Sequence, residues 1–462
     1  MKPTITRFRL EGYRAIPPGQ PVELRLARLT LLIGPNGSGK TSILEALARL
    51  PGDEMGTVED TYKLLGFTVE AGVELATVLL LDPKAKSTLS ARVSSKIVSA
   101  YTRALEEVVK SDHCEGLPAE SRATLAVDML LEKRGVVEEL AKTAIDRLVE
   151  QTKAMDVEVV YHLMNGRLRP AARRSEAMAK LFLDLMHERA DELLQIINDA
   201  AKALRAVCGG RPTSNIEALP RMLAATFASV VADELLGALR SRVTLLGSER
   251  SMGTLVSIRD PLGRLLYTMY PDPDVYRRLL RWLGLAGRYT RLRVIPRPDG
   301  GTLRIEVYDG FSGEWIPLGR AAGGLRYSLP VLFTLAASTP GNVVLIDDPE
   351  LGLHPQAQIR IAEALLEAAK RGVQVVAATH SPALLLRTLL AIANGEIGEE
   401  DAVILLVYRD EEQVYVEELR PRLPLRPSER AEKALREMGV EGLFGEEPRL
   451  AMDLLKTAAA KG

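Results

Sequence analysis

The sequence predicts an α/β fold: a mixed central sheet with helices packed on it, an antiparallel sheet at the N-terminal end, and a helical block inserted between two sheet-rich segments. Three observations carry this. The apolar run "LTLLI" at 29–33 stops at the glycine-rich "GPNGSGK" and the chain resumes with a helical pattern. Two more apolar runs, "NVVLIDD" (342–348) and "VQVVAATH" (373–380), flank a segment of helical period, which implies a right-handed parallel crossover. From about 87 to 240 the hydrophobic period is 3.6 rather than 2.

The elements follow in order. Thr6, Phe8 and Leu10 alternate with Arg7, Arg9 and Glu11, and Val22, Leu24 and Leu26 repeat the pattern, so an antiparallel pair of half-buried strands is expected. "LTLLI" is apolar throughout, as a central strand is. The helix "TSILEALARL" ends at Pro51-Gly52. In the middle block, Val137, Leu140, Ala144, Ile145 and Leu148 form one helical stripe, and Met186, Ala190, Leu193, Ile197 and Leu204 another. The breaks fall at "CEGLP", "NGRLRP" and "CGGRPTSN"; no heptad persists, which argues for a compact insertion over a coiled-coil rod. Strand signals return after 241 with "RVTLLG" and "TLRIEVYDG". "HPQAQIRIAEALLEAAKRG" reads as a helix, with Pro355 in its first turn and Gly372 past its end. "AVILLVYRDEEQVYVEEL" (402–419) reads as a hairpin. Residues 1–86 and 241–462 are thus expected to form one split domain, and 87–240 a helical insertion.

Composition excludes several classes. With 47% hydrophobic and 26% charged residues the chain has the makings of an ordinary core. A net charge of −1 means that any nucleic-acid site must be local. Cys114 and Cys208 alone make no four-ligand zinc site. No signal-type apolar core opens the chain, and no apolar run reaches ~18 residues, so a cytoplasmic protein without a membrane span is expected.

Chemistry concentrates in three motifs. "GPNGSGKT" (34–41) matches the Gly-x-x-x-x-Gly-Lys-Thr loop in its required strand–helix context. Such a loop turns its N–H groups toward phosphate, so Asn36, Gly37, Ser38, Gly39, Lys40, Thr41 and Ser42 are candidate nucleotide contacts. Lys40 is placed to reach the β- and γ-phosphates and Thr41 to hold Mg²⁺. Asp347 ends a buried strand at the sheet edge where a phosphate-loop enzyme keeps its magnesium carboxylate. A buried acid with no such role would be costly. His380, in "ATHSP", ends the next strand at the same edge and is a candidate γ-phosphate contact; Ser381-Pro382 reads as a helix N-cap followed by proline. In the middle block "NGRLRPAARR" clusters Arg167, Arg169, Arg173 and Arg174, which suits either a phosphate backbone or, more simply, a solvated helix surface.

Taken in order, "GYRAI" (12–16), "LLIGPNGSGKTSILEAL", "LIDDPELGLHP" and "ATHSP" resemble the ABC-type ATPase heads of the RecF, structural-maintenance-of-chromosomes and OLD-like group, often labelled AAA family ATP-binding proteins. The resemblance covers most of 1–50 and 300–420. It implies ATP and Mg²⁺ as cofactors and two heads that sandwich two ATPs. It matches Arg14 to the group's N-terminal arginine near the nucleotide. It puts Asp348 where the group carries the glutamate that orients the attacking water, with Glu350 as a second carboxylate of the motif. "LGRAAGGLRYSLPVLFTLA" falls at the signature position, so Gly323 and Gly324 are expected to offer N–H groups to a partner's γ-phosphate, although Ala322 replaces the usual serine. The group's glutamine loop has no counterpart in "YKLLGFTVEAGVEL", and Arg250 in "LLGSERSMG" matches the group's strand end without an assigned role.

The expected function is an ATP-hydrolysing switch, slow because Asp348 is short, that dimerises on ATP and acts on DNA, RNA or an effector protein. OLD-like relatives often carry a C-terminal nuclease; too little chain follows the hairpin for one, so any nuclease is expected to be a separate partner. A transporter's nucleotide-binding subunit and a non-hydrolysing scaffold are the other readings.

Overall fold

The computed structural model describes residues 3–17, 19–49, 68–74, 156–164, 167–171, 242–284, 288–410, 413–419 and 428–438, with isolated helical positions between 92 and 184. The chain divides into two compact units. One comprises Met1–Ala71, Leu163–Leu168 and Arg242–Gly462; the other comprises Gly72–His162 and Arg169–Ser241.

In the first unit, strands β1 (Ile5–Glu11) and β2 (Val22–Arg25) pair antiparallel, as their alternation predicts. Strand β3 (Leu29–Ile33) is buried at every residue and leads through the glycine loop into helix α1 (Lys40–Arg49). Strand β4 (Thr68–Glu74) follows and is divided between the units after Ala71. The middle block is not wholly helical. Strands β5 (Asp156–Met164) and β6 (Arg167–Ala171) are hydrogen-bonded neighbours, and the boundary between the units passes through both. Arg167–Pro170 of "NGRLRP" lie on β6, so this segment is not a break between two helices. The β-branched, alternating "DVEVVYHLM" carried that signal, and the 3.6-residue stripes on either side masked it. Arg167 and Arg169 lie on a strand rather than a helix; Arg173, Arg174 and both cysteines fall outside the described residues.

The first unit continues with β7 (Val243–Leu246), β8 (Leu255–Ser257), and helices α2 (Pro261–Met269) and α3 (Pro273–Gly284). The sequence reading passed over these two helices. Each starts with proline at N1, and Asp272 accepts from the Asp274 N–H at 2.8 Å to cap α3. Strands β9 (Tyr289–Pro296), β10 (Thr302–Asp309) and β11 (Glu314–Pro317) form with β8 an antiparallel sheet, which precedes α4 (Gly323–Ala337). Pro330 inside α4 has no N–H for the Arg326 carbonyl; the Met252 N–H bonds that carbonyl instead, at 3.0 Å.

Strand β12 (Val343–Asp347), α5 (Pro355–Lys370), β13 (Gln374–Thr379), α6 (Pro382–Ala393), β14 (Ala402–Arg409), β15 (Val414–Leu419) and α7 (Glu429–Glu437) complete the described chain. The central sheet runs β15-β14-β3-β13-β12-β7, with every pair parallel except β14–β15. This register sets Asp347 opposite Ala378 and Thr379 opposite Ile33, so β3, β12 and β13 end together. The mixed sheet with its flanking helices is the fold class the sequence predicts.

One buried side chain ties β1 to this sheet. Gln374 is 1% exposed. Its Oε1 accepts from the Ile5 N–H at 2.8 Å, and its Nε2 donates to the Ile5 carbonyl at 2.7 Å, so the amide stands in for a neighbouring strand. Gln374→Leu keeps the bulk but leaves both Ile5 backbone groups buried and unpaired. A loss of roughly 2–5 kcal/mol is expected from two such groups. Urea unfolding checks it: the midpoint should fall with the slope unchanged, and an unchanged midpoint would refute the role.

Candidate nucleotide-binding and hydrolysis site

The glycine loop is shaped by contact as well as by conformation. A Cβ on Gly34 would lie 1.9 Å from the Val407 carbonyl of β14, so no other residue fits there. Gly37 (φ +75°) and Gly39 (φ +106°) occupy the left-handed region. A Cβ on Gly39 would come 3.6 Å from Ala15 Cβ, which brings the Arg14–Ala15 turn against the loop. Arg14 itself has φ +51° and its guanidinium pairs with Glu45 of α1 at 2.6 Å. Asn36 and Gly37 are exposed; Ser38 and Ser42 are buried.

Lys40 points back over the loop. Its Nζ donates to the carbonyls of Gly34 at 2.9 Å and Pro35 at 2.8 Å. Burial depresses its pKa to about 8, against the pull of Asp348, Asp347 and Glu350. The next residue, Thr41, donates its hydroxyl to Asp347 Oδ2 at 3.0 Å across 306 positions of sequence. Asp347 is 6% exposed, and burial followed by the neighbouring Asp348 charge raises its pKa, with Thr41, Lys40 and Arg250 opposing.

Asp348 leaves the strand in the left-handed region, φ +47°, a conformation aspartate tolerates better than most residues. Its Oδ1 has no hydrogen bond and lies 3.5 Å from His380 Nε2. His380 Nδ1 is 2.9 Å from the Gly34 carbonyl, so the proton belongs on Nδ1; Nε2 faces the acid. His380 therefore stands between the phosphate loop and Asp348. Glu350 turns the other way. Its Oε1 accepts from the Thr379 hydroxyl at 2.7 Å and the His380 N–H at 2.8 Å, bracing the end of β12 to the end of β13. Burial raises its pKa. Ser381 caps α6 by accepting from the Leu384 N–H at 3.1 Å, and Pro382 is the first helical residue.

The structure brings the loop, Thr41, Asp347, Asp348, Glu350 and His380 to one sheet edge. Gly323 and Gly324 open α4, whose N-cap Ala322 makes no side-chain cap. The two glycines differ. A Cβ on Gly324 would lie 2.7 Å from the Gly352 carbonyl, so that glycine is required by the acid loop of its own chain, whereas Gly323 faces open space. One residue that the sequence named without a role has one in the structure. Arg250 donates to the backbone carbonyls of Gly247, Asp347, Asp348 and Tyr327, and so reaches both acids and α4. Its only sequence signal is an arginine just past a strand end.

Two family models match the chain. "AAA domain, putative AbiEii toxin, Type IV TA system" covers residues 277–386, and "AAA domain" covers 7–68. Between them they hold the glycine loop, both adjacent acids and His380. Among solved structures, the SMC head bound to the C-terminal winged-helix domain of ScpA is 12% identical, covering 90% of this chain and 98% of that one at TM-score 0.44. The SMC head of Thermotoga maritima is 11% identical, covering 90% and 99% at TM-score 0.38. An SMC head with extended coiled coil from Pyrococcus furiosus, bound to the ScpA C-terminal domain, is 13% identical, covering 95% and 100% at TM-score 0.39. No curated protein sequence matches. The two matched stretches are thus AAA-like, one holding the glycine loop and the other the acids and His380, and no described helix is long and apolar enough to cross a membrane.

The Lys40 environment sets a pH dependence. Phosphate binding favours the charged ammonium, and the free protein loses that proton above pH of about 8. Affinity for ATP should be flat below that point and fall by up to about tenfold per unit above it, because binding must then take up a proton. Titrations with a fluorescent ATP analogue from pH 7 to 10 measure this; Lys40→Arg should abolish the slope. Affinity that stays level to pH 10 in the parent would refute it.

Proposed function

We propose that this protein is an ATP-driven switch that binds ATP with Mg²⁺, closes against a second copy and hydrolyses the nucleotide slowly. The observation that carries the reading is the Thr41 hydroxyl on the Asp347 carboxylate at 3.0 Å, beside the buried Lys40. A hydroxyl and a carboxylate are hard oxygen donors, and Mg²⁺ typically takes only one or two protein ligands beside phosphate and water, so the pair fits that ion. Thr41 and Asp347 would hold Mg²⁺, which would supply charge neutralisation to the bound phosphates.

The chain's own residues do the rest. Loop N–H groups and Lys40 hold the phosphates, and Arg14, fixed by Glu45, sits at the rim of the loop. Asp348 orients the attacking water, and His380, between Gly34 and Asp348, contacts the γ-phosphate. Asp348 is one methylene shorter than glutamate, so its oxygens stop ~1.5 Å nearer the backbone. A misplacement of about 1 Å costs about 10²-fold in a positioned reaction, hence slow turnover. Gly323, open at the N-terminus of α4, offers its N–H to the γ-phosphate held by a second copy. The split head of 1–86 and 241–462 would pass this closure to the 87–240 insertion, which engages nucleic acid through Arg167, Arg169, Arg173 and Arg174, or a separate effector such as a nuclease. We place the protein in the cytoplasm, in genome maintenance or phage defence.

Asp348→Asn should bind ATP normally and lose nearly all phosphate release, while Asp348→Glu keeps or raises the rate. Glu350→Gln, which disturbs a brace, should cost less than Asp348→Asn. If Asp348→Asn turns over like the parent while Glu350→Gln is dead, the roles are reversed. A parent that binds ATP without releasing phosphate would instead favour the scaffold reading, and co-purification with a membrane permease the transporter one.

Light scattering on Asp348→Asn with ATP and Mg²⁺ should show a doubled mass that ADP does not produce. A mass unchanged by ATP, from a monomer at high concentration, would remove the two-headed mechanism.

A further inference from the structure

Arg250 sits among three carboxylates, Asp347, Asp348 and Glu350, yet among the described residues its guanidinium donates to backbone carbonyls alone. Nη1 bonds the carbonyls of Gly247, at 2.9 Å, and Asp347; Nη2 bonds the carbonyl of Asp348; Nε bonds the carbonyl of Tyr327 in α4 at 3.2 Å. One rigid fork thus joins the end of β7, the two acids at the end of β12 and the second turn of the helix that begins with Gly323-Gly324.

Three further features make this a built device. Asp348 is a non-glycine residue at φ +47°, a strained conformation that needs external support. Its N–H is held from the other side by the Ala378 carbonyl at 2.9 Å, so Arg250 completes a grip on both ends of the residue. Pro330 frees the Arg326 carbonyl for the Met252 N–H, and Gly324 packs against Gly352, so helix, loop and acid turn already touch without Arg250. Removing the arginine should therefore release the grip without unfolding the contact.

We propose that Arg250 is a positioning residue that fixes the water-orienting Asp348 and couples its placement to helix α4, so that a ligand docking at the Gly323 end of that helix is felt at Asp348. This rests on the ATPase reading for its catalytic consequence, though not for its structural one. Lysine keeps the charge but cannot span the carbonyls that the planar fork reaches.

The test is Arg250→Lys, with Arg250→Ala beside it. Turnover should fall about 10²-fold with ATP affinity within about twofold of the parent. In an Asp348→Asn background the same change should add little, because the arginine acts through that acid. Hydrogen exchange without nucleotide gives a readout independent of hydrolysis: amides of 348–353 and of the first turns of α4 should exchange at least about tenfold faster, while those of β3 and α1 do not change. Full activity in Arg250→Lys with unchanged exchange overturns the proposal, as does a uniform loss of protection across the sheet, which would mark a general structural role. If the parent hydrolyses no ATP the catalytic reading fails, and the exchange pattern still decides whether Arg250 holds the turn.

Discussion

The site depends on one contact, the Thr41 hydroxyl on the Asp347 carboxylate, made between residues 306 positions apart. A carboxylate that is 6% exposed needs a donor and a nearby cation. Thr41 supplies the first and Lys40 the second, and both belong to the first turn of α1. The contact exists only if β3 and β12 stop at the same height, with β13 between them in register. These strands are buried at every residue, as parallel strands covered on both faces are, and burial specifies their register and so the height at which the charge sits. The lowered pKa of Lys40 and the raised pKa of Asp347 have the same leading cause, burial, and each charge offsets part of the other's cost.

What was legible in the sequence is what depends on side-chain type. The glycine loop, "LIDDPELGLHP" and "ATHSP" announce their residues directly, and the crossover between β12 and β13 follows from two apolar runs with a helix between. The Ser381 cap and the proline after it were readable for the same reason. The missed features are of two kinds. Strands β5 and β6 lie among helical stripes, whose longer period outweighed the short alternation of "DVEVVYHLM". Helices α2 and α3 are short, and their signals were local caps rather than long stripes.

The role of Arg250 was hidden for a deeper reason. Its partners are main-chain carbonyls, which every residue owns, so no pairing of residue types along the chain marks it. The same holds for Gln374, whose amide serves Ile5 as a strand would. Gly324 and Gly323 look equivalent in sequence, and only the packing of Gly352 separates a glycine required by its own chain from one that faces open space.

Asp348 combines these threads. The turn after β12 puts this residue at φ +47°, a region that aspartate visits more readily than glutamate. Glutamate would extend the carboxylate by ~1.5 Å toward a γ-phosphate. The two demands oppose each other: reach favours glutamate, backbone conformation favours aspartate. Where the backbone is gripped on both sides, by the Ala378 carbonyl and by the Arg250 fork, the conformational cost is met by the surroundings and reach should dominate. Where that grip is lost, the preference for aspartate returns. Asp348→Glu should thus gain rate in the presence of Arg250 and lose that advantage when Arg250 is replaced, a coupling between two positions 98 apart in sequence that share one backbone hydrogen bond.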